Sequence, residues 1–344
     1  MEKRTLLKAG LLAALMASGM PALAQEITLR MHQFLPAQAI VPARVLAPWA
    51  EAVAEASEGR IKVEIYSAMA LGGTPLQLMD QVADGVVDIA WTLPGYTPGR
   101  FPRVEVFELP FVMTDAEATS RAFWELYESD LADTDFANFH MLGTWVHGPG
   151  VIHVKGDAVE GIDDMDGLKL RGPTRVINDL LGEFGAAPIG MPVPALPENL
   201  AKGVIDGAAI PWEVTTALKI AELTDAHTEF IGERTLYTAA FVLIMNTDSY
   251  NAMPADLQAI LDSVSGADFS ANAGKVMQDA DAAGRAIAAG RGNTIVTVEG
   301  DALGIWEAAS EPVIERWLAD MADKGIESQD LLTRARALIA QHSQ

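Results

Sequence analysis

The chain has 344 residues, with 24 Lys and Arg against 47 Asp and Glu, 6 His and no Cys. That length exceeds a usual single domain and points to two, and a hydrophobic content of 50% suits a packed core rather than a disordered chain. The net charge of −23 excludes a nucleic-acid or anionic-lipid binder that works through a basic face, and the lack of Cys excludes disulfides, thiol catalysis and Cys-ligated metals.

The first segment reads as an export signal. Lys3, Arg4 and Lys8 precede an apolar, small-residue run from Ala9 to Met20, and Ala22-Leu23-Ala24 has the A-x-A form of a signal-peptidase site. Residues 1–24 are therefore expected to be removed, leaving Gln25 first and placing the mature chain in the periplasm. No lipid-anchor Cys follows, and no later stretch reaches about 18 uninterrupted apolar residues, so no direct membrane anchoring is expected.

Ile27, Leu29 and Met31 alternate as in a strand, and Val41, Val45, Leu46, Trp49 and Val53 recur at helical spacing up to Gly59. Ile61, Val63 and Ile65 give a second strand. Thr74-Pro75 opens a helix through Leu78, Met79 and Val82 that Gly85 ends. A third strand covers Val86 to Trp91. Strand–helix alternation of this kind implies a parallel sheet covered by helices.

The pattern returns at Leu168 to Leu170, in a helix from Thr174 to Gly185, a strand near Pro188 to Met191, a helix carrying Leu196 and Leu200, and a strand from Gly207 to Trp212. Gly85-Val86-Val87-Asp88-Ile89-Ala90 and Gly203-Val204-Ile205-Asp206-Gly207-Ala208 echo one another, which supports two similar α/β lobes. Pro254 to about Ala289 is almost entirely helical, more than one lobe requires. A strand at Thr294 to Val298 and helices over Asp301–Lys324 and Gln329–Gln341 follow. No Gly/Ser linker separates the lobes, so the chain is expected to cross between them more than once.

Catalytic signatures are missing: there is no G-x-S-x-G elbow, H-E-x-x-H pair or P-loop. The His residues, at 32, 140, 147, 153, 227 and 342, are scattered singly, and neither metal nor cofactor is expected. Polar and aromatic residues do collect at predicted strand ends, where a parallel α/β sheet binds its ligands. They are Phe34, Trp91, Tyr96, Trp145, His147, Trp212 and Glu213, with Tyr237 added to the candidate set. An aromatic at a lobe boundary is more often core or rim packing. Arg171 is more specific: it follows an apolar strand and precedes Gly172-Pro173, so its guanidinium can grip a carboxylate through two parallel hydrogen bonds.

Five blocks then fall in order: Leu71-Gly72-Gly73; Val106-Phe107-Glu108-Leu109-Pro110-Phe111; Met165 to Arg171, reading M-D-G-L-K-L-R; Gly185-Ala186-Ala187-Pro188 with Met191-Pro192; and Gly203 to Gly207. With them the chain resembles the solute-binding subunits of tripartite ATP-independent periplasmic (TRAP) transporters, of the dicarboxylate-binding type, over nearly all its mature length. The resemblance implies a two-lobe α/β periplasmic binding protein fold, with segments crossing between the lobes and one long helix spanning both. Lobe I would hold 25–148 plus about 239–280, and lobe II 149–238 plus about 281–344. It further implies that Arg171 binds the ligand carboxylate. Where many members carry a second arginine and an asparagine, this chain has Val151 and Ile210, which disfavours a di-acid or sialic-acid-like ligand. The expected function is a monomeric receptor that closes on a small organic acid, a monocarboxylate, and delivers it to TRAP permease subunits. An amine or zwitterion seated on Glu213, and a secreted enzyme using Glu213 or His147 as base, are the alternatives.

Overall fold

The computed structural model describes residues 27–343, so the expected signal peptide lies outside the described residues. Two sheets organise them. The first contains β1 (Ile27–His32), β2 (Ile61–Tyr66), β3 (Ile89–Thr92), β4 (Phe139–Val146) and, much later in the chain, a returning strand at Ala240–Asn246. The second contains β5 (Gly150–Val154), β6 (Lys169–Gly172), β7 (Ala187–Gly190), β8 (Gly207–Pro211), β9 (Ala226–Phe230) and a last strand at Thr294–Val298. The returning strand is β10 and the last β11. The orders are β2-β1-β3-β10-β4 and β11-β9-β5-β8-β6-β7.

The parallel pairing expected from strand–helix alternation holds inside each unit, with β1 beside β2 and β3, and β6 beside β7 and β8. It does not extend to the whole sheets. β10 runs antiparallel to β3 and β4, and β5 antiparallel to β8 and β9. The cause is the crossing of the chain. β4 leaves the first sheet through His147, Gly148 and Pro149 straight into β5, while β9 leaves the second and returns as β10. An outgoing and a returning strand side by side must be antiparallel.

Helices cover both sheets: α1 (Ala47–Ala56), α2 (Leu78–Ala83), α3 (Ala116–Leu126), α4 (Arg175–Glu183), α5 (Leu196–Ala201), α6 (Trp212–Leu218), α7 (Thr247–Asn251), α8 (Ala255–Ser263), α9 (Ala267–Arg291), α10 (Asp301–Asp323) and α11 (Ser328–His342). The long helical stretch breaks between α8 and α9 at Gly266, whose φ of 88° suits glycine and lays its backbone against the Trp124 ring. α9 has 25 residues and packs on α3 in one lobe and on α6 in the other. Within the last stretch, α10 lies on α4 of the second lobe, and α11 turns back onto α3 of the first.

The echoed segments are the same device used twice. Gly85 and Gly203 both take left-handed φ, of 67° and 69°, and stop a helix. The Asp that follows then clasps the neighbouring strand with backbone and side chain together. Asp88 donates its N–H to Arg30 O at 3.1 Å and accepts Arg30 N–H at 2.8 Å, and Asp206 does the same with Lys169 at 2.8 and 2.9 Å.

Candidate functional site

Between the sheets lies a cavity. Phe34, Trp91 and Tyr96 from the first lobe, His147 on the crossing segment, and Arg171 and Glu213 from the second lobe all line it. Three members of the expected set are placed elsewhere. Trp145 stands one layer back, stacked 6.4 Å from Trp91 and from Phe241. Trp212 turns away to donate its indole N–H to Glu229 at 2.7 Å and packs on the rings of His153 and His227. Tyr237 is buried behind the crossing segment, its ring against Gly150, where any Cβ would sit 2.3 Å from ring carbons. Of the two apolar replacements, Ile210 lines the cavity and Val151 packs beside Trp212 instead.

The aromatic wall is a stack. Phe34 lies 4.5 Å from Trp91 at 19°, and Phe241 lies 5.5 Å from Trp91 at 21°. Phe241 was missed from sequence because β10 is buried along its whole length and shows no alternation. An apolar run, Ala239 to Met245, was its only signal.

Arg171 sits on β6 and is only 2% exposed. Its Nε donates to Met191 O at 2.8 Å and its Nη1 to Ala209 O at 3.1 Å. Burial lowers its pKa, partly offset by Tyr96 and Tyr237, yet an arginine stays charged in proteins. Among the described residues no carboxylate is one of its electrostatic partners. A buried cation without a counter-ion is costly. The two carbonyls hold it in place, and the nearby phenols are its remaining electrostatic support.

The other polar side chains on the wall differ in how far the protein itself satisfies them. His147 bonds Gly148 O through Nδ1 at 2.5 Å and accepts Ala239 N–H on Nε2 at 3.1 Å. Both ring nitrogens are thus used by the two crossing segments, and burial pushes the imidazole down to about 4. Tyr96 accepts the backbone N–H of Val193 at 3.1 Å, a bond from one lobe to the other. Glu213, in the first turn of α6, keeps Oε2 buried without a partner, and the Nε1 of Trp91 is likewise unpartnered. Burial first, and the Asp281 carboxylate second, push Glu213 up to about 8. Asp281 in turn accepts the Glu213 N–H at 2.8 Å and is itself raised to about 7, chiefly by burial. The Gly148 backbone closes over this pair: a Cβ there would meet Asp281 Oδ2 at 2.1 Å.

His32 and Gln33, beside Phe34, are structural. His32 bonds Gln81 at 2.7 Å, and Gln33 closes on the N–H and C=O of Leu35. Among the described residues no helix is long and apolar enough to cross a membrane.

Residues 33–320 match the family described as bacterial extracellular solute-binding protein, family 7. A TRAP solute-binding protein from Rhodoferax ferrireducens, solved with copurified benzoate, is 50% identical over 92% of this chain and 98% of its own, with a TM-score of 0.90. A marine metagenome TRAP solute-binding protein specific for aromatic acid ligands, solved with 3-hydroxybenzoate, is 42% identical over 93% and 100%, with a TM-score of 0.91. One from Bordetella bronchiseptica with bound mandelate is 30% identical over 92% and 99%, with a TM-score of 0.84. The chain therefore belongs to the DctP family of TRAP solute-binding proteins and shares their two-lobe fold.

Proposed function

We propose that this chain is the periplasmic receptor of a TRAP transporter for a small aromatic monocarboxylate, which it captures between its lobes and hands to the permease subunits. Arg171 carries the reading: a buried, positioned guanidinium in a cavity wall, with no carboxylate of the described residues among its electrostatic partners. A ligand carboxylate supplies the missing charge in a medium of low dielectric. The stacked faces of Phe34, Trp91 and Phe241 suit a flat ring. Ile210 gives a second carboxylate nothing to bond, which supports one acidic group rather than two. The cavity lining holds no Ser, Thr, Lys or Cys nucleophile, which supports a receptor over an enzyme. The Ala22-Leu23-Ala24 export signature and the extracytoplasmic family support the periplasm.

The test is thermal melting and calorimetry with benzoate, succinate and benzylamine. Benzoate alone is expected to bind. At a hundredfold excess over Kd it would stabilise the fold by roughly 2.7 kcal/mol. Binding of succinate or benzylamine, with benzoate silent, overturns the proposal.

A further inference from the structure

The structure assigns Glu213 a role of its own: we propose that it reads a hydroxyl group on the ligand ring, at the end away from the carboxylate, and so makes the site selective for hydroxylated aromatic acids. The inference rests on the aromatic-acid reading above and deepens it.

The argument is one of elimination. Four charged or hydrogen-bonding side chains other than tryptophan line the cavity: Tyr96, His147, Arg171 and Glu213. The Tyr96 oxygen takes the Val193 N–H and keeps only its O–H to donate, and both nitrogens of His147 are held by backbone. Arg171, the Tyr96 O–H and the unpartnered Nε1 of Trp91 are all donors, suited to the oxygens of a carboxylate. Glu213 is the odd group. It is 3% exposed, its Oε2 has no hydrogen-bond partner, and it is the one carboxyl in the cavity lining. A buried polar atom left unpaired is unfavourable and wants a partner from the ligand.

Its placement is fixed rather than fortuitous. The Asp281 side chain on α9 holds the Glu213 N–H at the start of α6, directly after β8. Burial, and after it Asp281, raise the Glu213 carboxyl to about 8, which favours its protonated form at neutral pH. An uncharged carboxyl both donates and accepts, the complement of a hydroxyl, whereas an ammonium ion would require it ionised. Sites built to bond a substrate hydroxyl reject the analogue that lacks it far more strongly than apolar pockets discriminate size.

Calorimetry of benzoate and its three monohydroxy isomers, on the wild-type protein and on Glu213→Met, tests this. The meta or para isomer is expected to bind wild type at least about tenfold more tightly than benzoate, and in Glu213→Met that ratio falls toward one. Glu213→Gln, which keeps a donor and an acceptor, should retain most of the preference and guards against a Met variant that fails to fold. The ortho isomer satisfies its own carboxylate internally and should gain nothing. A hydroxyl preference that survives Glu213→Met overturns the assignment, as does equal binding of benzoate and every isomer. So does an aminomethyl analogue that gains affinity where no hydroxy isomer does. If no aromatic acid binds wild type, the aromatic-acid reading falls with it.

Discussion

Arg171 commits two of its donor groups to the protein, at Met191 O and Ala209 O, before any ligand arrives. That makes Arg171→Lys a severe change despite equal charge. An ammonium lacks the planar fork and cannot serve both carbonyls and a carboxylate at once. The expected loss of affinity for the acid is about 2–5 kcal/mol, read by calorimetry, and an unchanged Kd would remove Arg171 from the site. This arginine was legible in the sequence because an apolar strand and a Gly-Pro turn bracket it. Trp212 shows why its neighbours were harder. Adjacent helical positions point about 100° apart, so the turn that aims Glu213 at the cavity aims Trp212 at His153 and His227. Trp145 and Trp91 both lie on strands, and nothing in a period-2 pattern says which of two stacked rings forms the wall and which stands behind it.

Among the elements, α9 ties the lobes together, and two glycines set how closely it lies. A Cβ on Gly274 would meet Ser120 Oγ at 2.2 Å and Ala116 O at 2.4 Å, and one on Gly284 would meet Trp212 O at 2.2 Å. Both obstacles include backbone of a facing helix, so they cannot swing aside. Gly284→Ala is expected to cost about 1–3 kcal/mol by overpacking, and, since Trp212 precedes Glu213, to weaken ligand binding as well. Gly290→Ala, near the end of the same helix with open space around it, should instead be neutral or stabilising by about 0.5–1 kcal/mol. Chemical denaturation of both variants decides: equal effects would mean that the contact with α6 is not tight. The sequence made α9 legible through its composition and length, and the repeated Gly–Asp corner revealed the two lobes. β9 and β10 were not read, and β10, an apolar strand covered on both faces, lacks the alternation that marks a strand. The antiparallel pairs went unread with them.

At the scale of the molecule, the lobes meet through polar contacts centred on buried carboxylates. Arg175 of α4 grips Glu105 with Nε and Nη2, at 3.1 and 2.5 Å, and Trp317 of α10 donates to the same carboxylate. Glu108, beside it, accepts the Ala240 N–H at the start of β10. Burial at these junctions gives stability a characteristic pH dependence. Glu108 and Glu213 are raised to about 8 from 4.5, and Asp281 to about 7 from 3.8. Over those intervals the folded state holds more protons than the unfolded one, so stability falls as pH rises. His147 and His227 are lowered to about 4 from 6.5, each mainly by burial. There the unfolded state holds more protons, and stability falls as pH drops. The two slopes oppose one another between pH 4.5 and 6.5, and only the carboxyl slope remains from 6.5 to about 8. The ligand-free protein is therefore expected to melt highest in mildly acidic buffer and progressively lower toward pH 8. Glu108 lies outside the cavity lining, so Glu108→Gln should flatten that decline while keeping the Oε1 bond to Ala240. A melting temperature that climbs from pH 6.5 to 8, or a decline that is as steep in Glu108→Gln as in wild type, would show that Glu108 ionises in the folded protein despite its burial.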